Sequence, residues 1–383
     1  MEAAVKPGSE AELAQLVAQA EAPFEIIGTG TKRGLGRPVQ AARTLDLSAF
    51  AEIAAYEPEE LILEAGAGTR LAEIEALIAA RGQQLAFEPP DLSRLLGSPH
   101  SGTLGGLMAC NLAGPRRIKA GAARDHVLGI RGVSGRGEVF KAGARVVKNV
   151  TGYDLPKLMA GSYGTLAALT SITVKVLPRP ETEETILVEG LDDTAAVSVM
   201  SLAMQSACEV SGAAHVPGEG TFLRLEGIAA SVAARRDGLA KLLARPVQIL
   251  AAKASSTIWQ RIRDVQMLAG TPDRQVWRLS VTPSDAPGLL AKLRESMDLR
   301  YVLDWAGGLI WLDVPSTEDA GSAVIRGAMR SGHATLMRAP EGVRAAVDVF
   351  HPQAPALAAL SARVKDSFDP RHLFNPGRMS RGL

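Results

Sequence analysis

The 383-residue sequence predicts an α+β chain in two unlike parts with a turn-rich tail. Three observations carry this. Short apolar runs in the first half empty into glycine-rich turns, a proline- and acid-rich stretch near 178–184 breaks that pattern, and beyond it strands and helices follow with fewer glycine loops. The expected division is 1–180, 181–345 and 346–383, with the last segment folding back on an earlier part.

In order along the chain, Ser9-Glu10-Ala11-Glu12 fits a capping box, and Leu13, Leu16 and Val17 give the following helix an apolar stripe until Pro23. Phe24–Ile27 reads as a strand that runs into Gly28-Thr29-Gly30-Thr31-Lys32-Arg33-Gly34. The logic repeats: a strand over Leu61–Ala65, the turn Gly66-Ala67-Gly68-Thr69, then a helix carrying Leu71, Ile74, Leu77 and Ile78. From 98 to 114 small residues dominate and neither helical nor strand periodicity is sustained; glycine there lets backbone pass close to another group. A third glycine-bearing stretch, 151–166, precedes a strand at Ile172–Val176, stopped by Pro178 and Pro180. Beyond the acidic run Glu181–Glu184, strands are expected at Ile186–Val188, Thr221–Leu225, Val276–Val281 and Leu309–Leu312, with helices over 194–208 and 229–244.

Composition excludes several classes. With 42 Lys+Arg against 41 Asp+Glu, no net field favours nucleic acid or an anionic membrane. Cys110 and Cys208 are the only cysteines, too few for a disulfide framework or an all-cysteine iron–sulfur cluster, and they suit a reducing, cytoplasmic setting. The N-terminus lacks a signal-peptide pattern, and no stretch approaches ~20 uninterrupted apolar residues.

Two familiar phosphate motifs fail on spelling. A G-x-G-x-x-G fingerprint from Gly28 needs glycine or alanine where Arg33 stands, and a P-loop needs Gly-Lys-Ser/Thr where Thr31-Lys32-Arg33 stands. Successive amides at 28–31 can still form an anion nest with charge from Lys32 or Arg33, the alternative being a surface hairpin.

The runs FEIIGTGTKRGLG, EAGAGTRLAEIEALIAARG, 98–114 and ARVVKNVTGYDLPKLMAGSYGTLAALTSITVKVLP, in that order, closely resemble the FAD-binding domain of the vanillyl-alcohol oxidase and p-cresol methylhydroxylase (PCMH) superfamily. With the terminal FNPGR, the chain is most similar to the small FAD-binding E-subunit family of bacterial glycolate oxidases. The resemblance implies a two-subdomain PCMH-type FAD-binding fold with an α+β cap and a returning C-terminal segment. It matches Gly28, Thr29, Gly30 and Thr31 to the pyrophosphate loop, and Gly102, Thr103, Gly105, Gly106, Asn111 and Gly114 to a central flavin-contacting stretch. Gly152, Tyr153, Asp154, Gly161, Gly164 and Thr165 match a third stretch, and Asn375 a terminal position near the cofactor. His100, Cys110 and Tyr153 lie where some relatives attach FAD covalently, but the subunit family implies non-covalent FAD. It also implies a larger FAD-binding subunit and an iron–sulfur subunit as partners, with iron–sulfur clusters in the partner alone and attachment to the inner membrane only through those partners.

Oxidising a 2-hydroxy acid needs carboxylate recognition, a base and a flavin positioned for hydride. The histidine cluster of the larger subunit has no equivalent among His100, His126, His215, His333, His351 and His372, and no spacing suggests a metal site. His333 is the remaining single-base candidate, against a structural or solvent-facing role. The basic run Pro115–Lys119 can bind an anion, dock a partner or merely be solvated. Trp259, Trp277, Trp305 and Trp311 can face a second subunit or fill the core. The leading expectation is an FAD subunit of a complex oxidising glycolate to glyoxylate and passing electrons to a non-oxygen acceptor. A self-sufficient FAD-dependent 2-hydroxy-acid dehydrogenase and a structural subunit without redox chemistry are the alternatives.

Overall fold

The computed structural model describes residues 4–144 and 153–382. Ser9 caps the first helix, Glu10–Ala18, by accepting from the Glu12 amide at 3.2 Å, and Leu13 and Val17 are buried. Glu12 completes the cap one residue early, on the Gly8 amide at 2.7 Å. Strand Phe24–Ile27 pairs in parallel with Arg43–Asp46. A five-stranded antiparallel sheet follows in the order Ile53–Glu57, Ile62–Gly66, Ala167–Lys175, Val127–Ser134, Val139–Gly143.

The 98–114 stretch holds a helix that its composition hides, Leu104–Cys110, capped by Thr103, whose hydroxyl accepts from the Gly106 amide at 3.3 Å. Leu104, Leu107 and Met108 are buried at helical spacing, and Asn111 ends the helix in the left-handed region at φ 48°. Two glycines and only seven residues leave too little periodicity to read in advance.

From Thr182 an eight-stranded antiparallel sheet runs in the order Gln248–Leu250, Thr182–Val188, Gly220–Gly227, Gly212–Val216, Arg300–Asp304, Leu309–Val314, Gln275–Ser280, His333–Arg338. The acidic run is therefore the first half of a strand: Glu184 pairs with Arg236 at 3.0 Å. Alternation divides this sheet's faces. Trp277, Leu279, Ile310, Leu312 and Leu336 pack on the helices Asp193–Gln205, Ala229–Leu243 and Ala286–Arg294. Val276, Leu309, Trp311 and Met337 face the core shared with Phe87, Leu112 and the N-terminal elements. All four tryptophans are buried, so they serve the core.

A charged network bolts the two sheets together. Arg224, on the larger sheet, donates both terminal nitrogens to Glu88 at 2.8 and 2.9 Å. Arg116 donates to Glu226 through Nε and Nη2 and lies 3.2 Å from Glu88, so this member of the basic run is not free for a ligand. Burial alone would raise the Glu226 pKa, but the guanidiniums of Arg224 and Arg116 outweigh it and hold the carboxyl at about 2.

A second fastening is Trp305, whose indole N–H donates to the Gly114 carbonyl at 3.1 Å. Trp305 and Ala306 both take left-handed φ, 52° and 57°, and the Asp304 carboxylate accepts from the Trp305 amide at 2.7 Å. The tail returns to the first strand: the Phe24 amide donates to the Leu373 carbonyl at 2.7 Å and the Asn375 amide to the Phe24 carbonyl at 2.9 Å. Buried Lys365 secures it by donating to the Thr165 carbonyl, the Asp369 carboxylate and the Phe374 carbonyl.

Arg224→Met is expected to cost about 3 kcal/mol, because it takes from buried Glu88 its bidentate partner and leaves only Arg116 beside it. Glu88→Gln combined with Arg224→Met should recover much of that loss in urea denaturation. Burial raises the Asp304 pKa to about 7 from an ordinary 3.8, so its stabilising contribution is complete below pH 3.8 and lost as pH rises through 7. Asp304→Asn, which keeps the cap, should therefore gain on wild type between pH 4 and 8, by up to about 4 kcal/mol, in melts across that range.

Candidate functional site

The glycine turns converge on one cavity, a space of about 800 Å³ when the solvent in its open mouth is included. Its wall comes from the end of the first strand and its loop (Ile26 to Arg33), the Leu104–Cys110 helix, the turn at 162–164, and Asn375 and Arg378 of the tail. Close approach explains the small residues. A Cβ on Gly28 would lie 2.7 Å from the Thr103 hydroxyl, and one on Gly164, at φ +69°, 2.8 Å from the Asn375 amide nitrogen.

Asn375 ties three segments. Its Oδ1 accepts from the Ile26 amide at 2.8 Å, and its Nδ2 donates to the Tyr163 carbonyl at 2.8 Å and to the Gly164 carbonyl at 3.3 Å. Arg378 donates to the Lys32 carbonyl at 2.7 Å and stands 3.6 Å from Glu25.

Of the residues singled out from sequence, Gly28, Thr29, Gly30, Thr31, Thr103, Gly105, Gly106, Gly164 and Asn375 line this cavity. Gly102 stands beside it: a Cβ there would meet the Thr31 hydroxyl at 2.5 Å and the Lys32 ammonium at 2.6 Å. Others serve the scaffold around it. Asn111 accepts from the Arg124 amide, the Gly161 amide donates to the Met108 carbonyl, Gly114 packs on Glu88, and Thr165 donates to the Ser162 carbonyl. Gly152 lies outside the described residues.

Tyr153 and Asp154 point elsewhere. Tyr153 is 92% exposed, and Asp154 caps the Leu155–Met159 helix while pairing with Lys157 at 2.9 Å. Tyr163, ten positions on in the same glycine-bearing stretch, lines the cavity instead, its ring edge-on to Phe350 at 4.8 Å. His333 begins the edge strand of the larger sheet, exposed and outside the cavity wall.

Lys32, Arg378 and Cys110 also line the cavity. Burial lowers the pKa of Lys32 and of Arg378, and raises that of the Cys110 thiol. The signal for the two cations was their place in the GTGTKRGLG and FNPGR runs.

This fold and cavity define a PCMH-type FAD-binding flavoprotein. Residues 1–143 match the FAD binding domain family. Among solved structures the fold resembles substrate-bound p-cresol methylhydroxylase (TM-score 0.69, 14% identity, 99% of this chain and 89% of that one). It also resembles alkyldihydroxyacetonephosphate synthase (TM-score 0.67, 16% identity, 99% and 77%). The glycolate oxidase subunit GlcE of Escherichia coli strain K12 is 36% identical over 364 residues, 93% of this chain and 92% of its own length. The chain belongs to the family of that subunit, and FAD is its cofactor.

The cavity suits such a group. The Thr29 hydroxyl is buried without a partner, and the Lys32 ammonium, held by the Ser101 carbonyl at 3.0 Å, has no carboxylate partner among the described residues. Among the described residues no Asp or Glu lines the wall, so a ligand bearing phosphates meets no opposing carboxylate there.

Lys32→Met is expected to weaken FAD binding about 10- to 100-fold, the worth of one charge-assisted hydrogen bond. Gly28→Ala should lower occupancy as well, and Tyr153→Ala should leave affinity within about twofold of wild type. Reconstituting the stripped protein with FAD, followed by flavin fluorescence, separates the three.

Proposed function

We propose that this chain is the FAD-binding subunit of a complex that oxidises glycolate to glyoxylate and passes electrons through partner subunits to a non-oxygen acceptor. The observation that carries this reading is near-full-length identity to a glycolate oxidase subunit, joined to a cavity whose donors suit FAD. A larger FAD-binding subunit and an iron–sulfur subunit are the partners. With two cysteines, this chain leaves the iron–sulfur relay to another polypeptide. Among the described residues no helix is long and apolar enough to cross a membrane. We assign any membrane contact to the partners and this subunit to the cytoplasmic side.

Bound FAD supplies two-electron acceptance and onward single-electron transfer. The chain's own residues hold it. The 28–31 loop presents amides and the Thr29 hydroxyl, Lys32 adds positive charge, and Asn375 fixes the loop's strand against the 162–164 turn. We assign this binding to Gly28, Thr29, Gly30, Thr31, Gly102, Thr103, Gly105, Gly106, Gly164 and Asn375, non-covalently: the nearby Cys110 thiol is kept protonated by burial. His333 is retained as the base only for the alternative of a self-sufficient dehydrogenase.

The test is an anaerobic visible spectrum of the intact complex and of this chain alone, before and after adding glycolate or D-lactate. Glycolate should bleach flavin in the complex, while the isolated chain keeps its oxidised band. Complexes carrying the FAD-depleted Lys32→Met chain should lose at least tenfold in dye reduction. Full activity in a complex whose Lys32→Met chain is shown to hold no FAD overturns the proposal, and bleaching of the isolated chain shifts it to the self-sufficient enzyme.

A further inference from the structure

Outside the cavity wall, the seam between the two sheets holds two cations without a hydrogen-bonded carboxylate among the described residues; Asp304 acts on Arg278, and Asp125 on Arg117, only through space. Arg117, next to the fully paired Arg116, lies over the Trp305 ring at 4.3 Å from its centroid. Arg278, from the central part of the Gln275–Ser280 strand, lies over the same ring at 4.9 Å. Neither the half-buried Arg278 nor the exposed Arg117 makes a hydrogen bond or ion pair with a carboxylate among the described residues, whereas Arg224 and Arg116 nearby are doubly engaged. Like charges sharing one indole repel, and the indole's quadrupole repays only part of that.

The position in the sheet adds an independent observation. Charged residues on the core-facing side of this sheet are otherwise paired, Arg224 with Glu88, Glu226 with Arg116 and Asp313 with Arg274, whereas Arg278, on that side opposite Thr335, makes no such pair among the described residues. A charge on such a face needs a partner. Burial lowers the Arg278 pKa to about 10, which still leaves it cationic at neutral pH. Beneath the pair, Trp305 and Ala306 hold consecutive left-handed backbone, costly for non-glycine residues and kept where a side chain must be aimed. Tyr163, which lines the FAD cavity, makes no hydrogen bond with its hydroxyl among the described residues, and burial keeps its phenol protonated, a neutral donor within the electrostatic surroundings of Arg278.

We infer that Arg278 and Arg117, stacked on Trp305, form a binding site for the carboxylate of a small organic acid, with the Tyr163 hydroxyl as a third donor on the side of the FAD cavity. A planar guanidinium grips a carboxylate through two parallel N–H donors, and a second guanidinium on the same indole supplies the neutralising charge. A ligand so held abuts the cofactor cavity through Tyr163. That its acid is a hydroxy- or oxo-acid rests on the function proposed above; the anion site itself does not.

The FAD-loaded chain is titrated with glycolate, glyoxylate and oxalate, with chloride and sulfate as controls, following tryptophan fluorescence and small shifts of the oxidised flavin band. Saturable binding is expected, tighter for the carboxylates than for either control. Arg278→Gln and Arg117→Gln should each weaken it at least tenfold, with FAD content unchanged. Arg278→Lys, which keeps the charge but loses the fork, should fall between wild type and Arg278→Gln. Arg117 is solvent-facing, so its variant tests the site even if the Arg278 variants fold poorly. Unchanged affinity in Arg117→Gln, or equal affinity for sulfate and chloride, overturns the inference. Because tryptophan reports without substrate turnover, failure here is distinct from failure of the glycolate reading, which dye reduction by the complex decides.

Discussion

The architecture depends on one buried electrostatic fastening, the Glu88–Arg224 pair with Arg116 and Glu226 around it. Such a network is a poor source of net stability, since desolvating four charges costs about as much as their attraction returns. What it supplies is register. Two bidentate guanidinium contacts fix direction as well as distance, so the larger sheet meets the N-terminal body at one angle and one translation. Apolar packing between the same surfaces, Phe87 and Leu112 against Val276 and Trp311, tolerates sliding in a way that paired forks do not.

That register decides what faces the cavity. Trp305 reaches Gly114 only because the strand end at Asp304 is held over the 114–116 turn, where Arg116 is already committed. The cavity is then closed from the other side by the tail, with Asn375 joining the first strand to the 162–164 turn and Lys365 holding the tail through three oxygens. A cofactor site assembled from the chain's beginning, middle and end needs such long-range clamps, because no single element encloses it. It also explains why the contacting segments are glycine-rich: backbones from different elements approach within side-chain distance, as at Gly28 and Thr103.

The sequence discloses the elements whose signal is local. Strands ending in glycine turns, the first helix and its cap, and the strands and helices read from the second half are all found where periodicity and turn chemistry put them. The Leu104–Cys110 helix escaped because tertiary packing of Leu104, Leu107 and Met108, rather than propensity, stabilises it. Family motifs point to the stretch but do not by themselves choose the side chain. Tyr153 and Tyr163 share one glycine-bearing segment, and only the geometry of the 162–164 turn, pinned by Asn375, decides which ring meets the cavity. Arg117 and Arg116 are neighbours with opposite fates, one facing Trp305 and the other swallowed by carboxylates that are 28 and 110 positions away. No local pattern encodes that partition.

The distribution of charge around the cavity bears on what the bound group can do. Its wall carries Lys32, Arg33 and Arg378 and, among the described residues, no carboxylate, with Glu25 behind it paired to Arg33. Fixed cations at low local dielectric favour a cofactor that gains negative charge, and a wall without acids imposes no opposing penalty. A base for a hydroxyl proton is a different requirement, and the described residues of this wall do not meet it: Cys110 and Tyr163 are both pushed by burial toward their protonated forms. Such a wall suits a cofactor that accepts and holds electrons more than it suits the movement of protons.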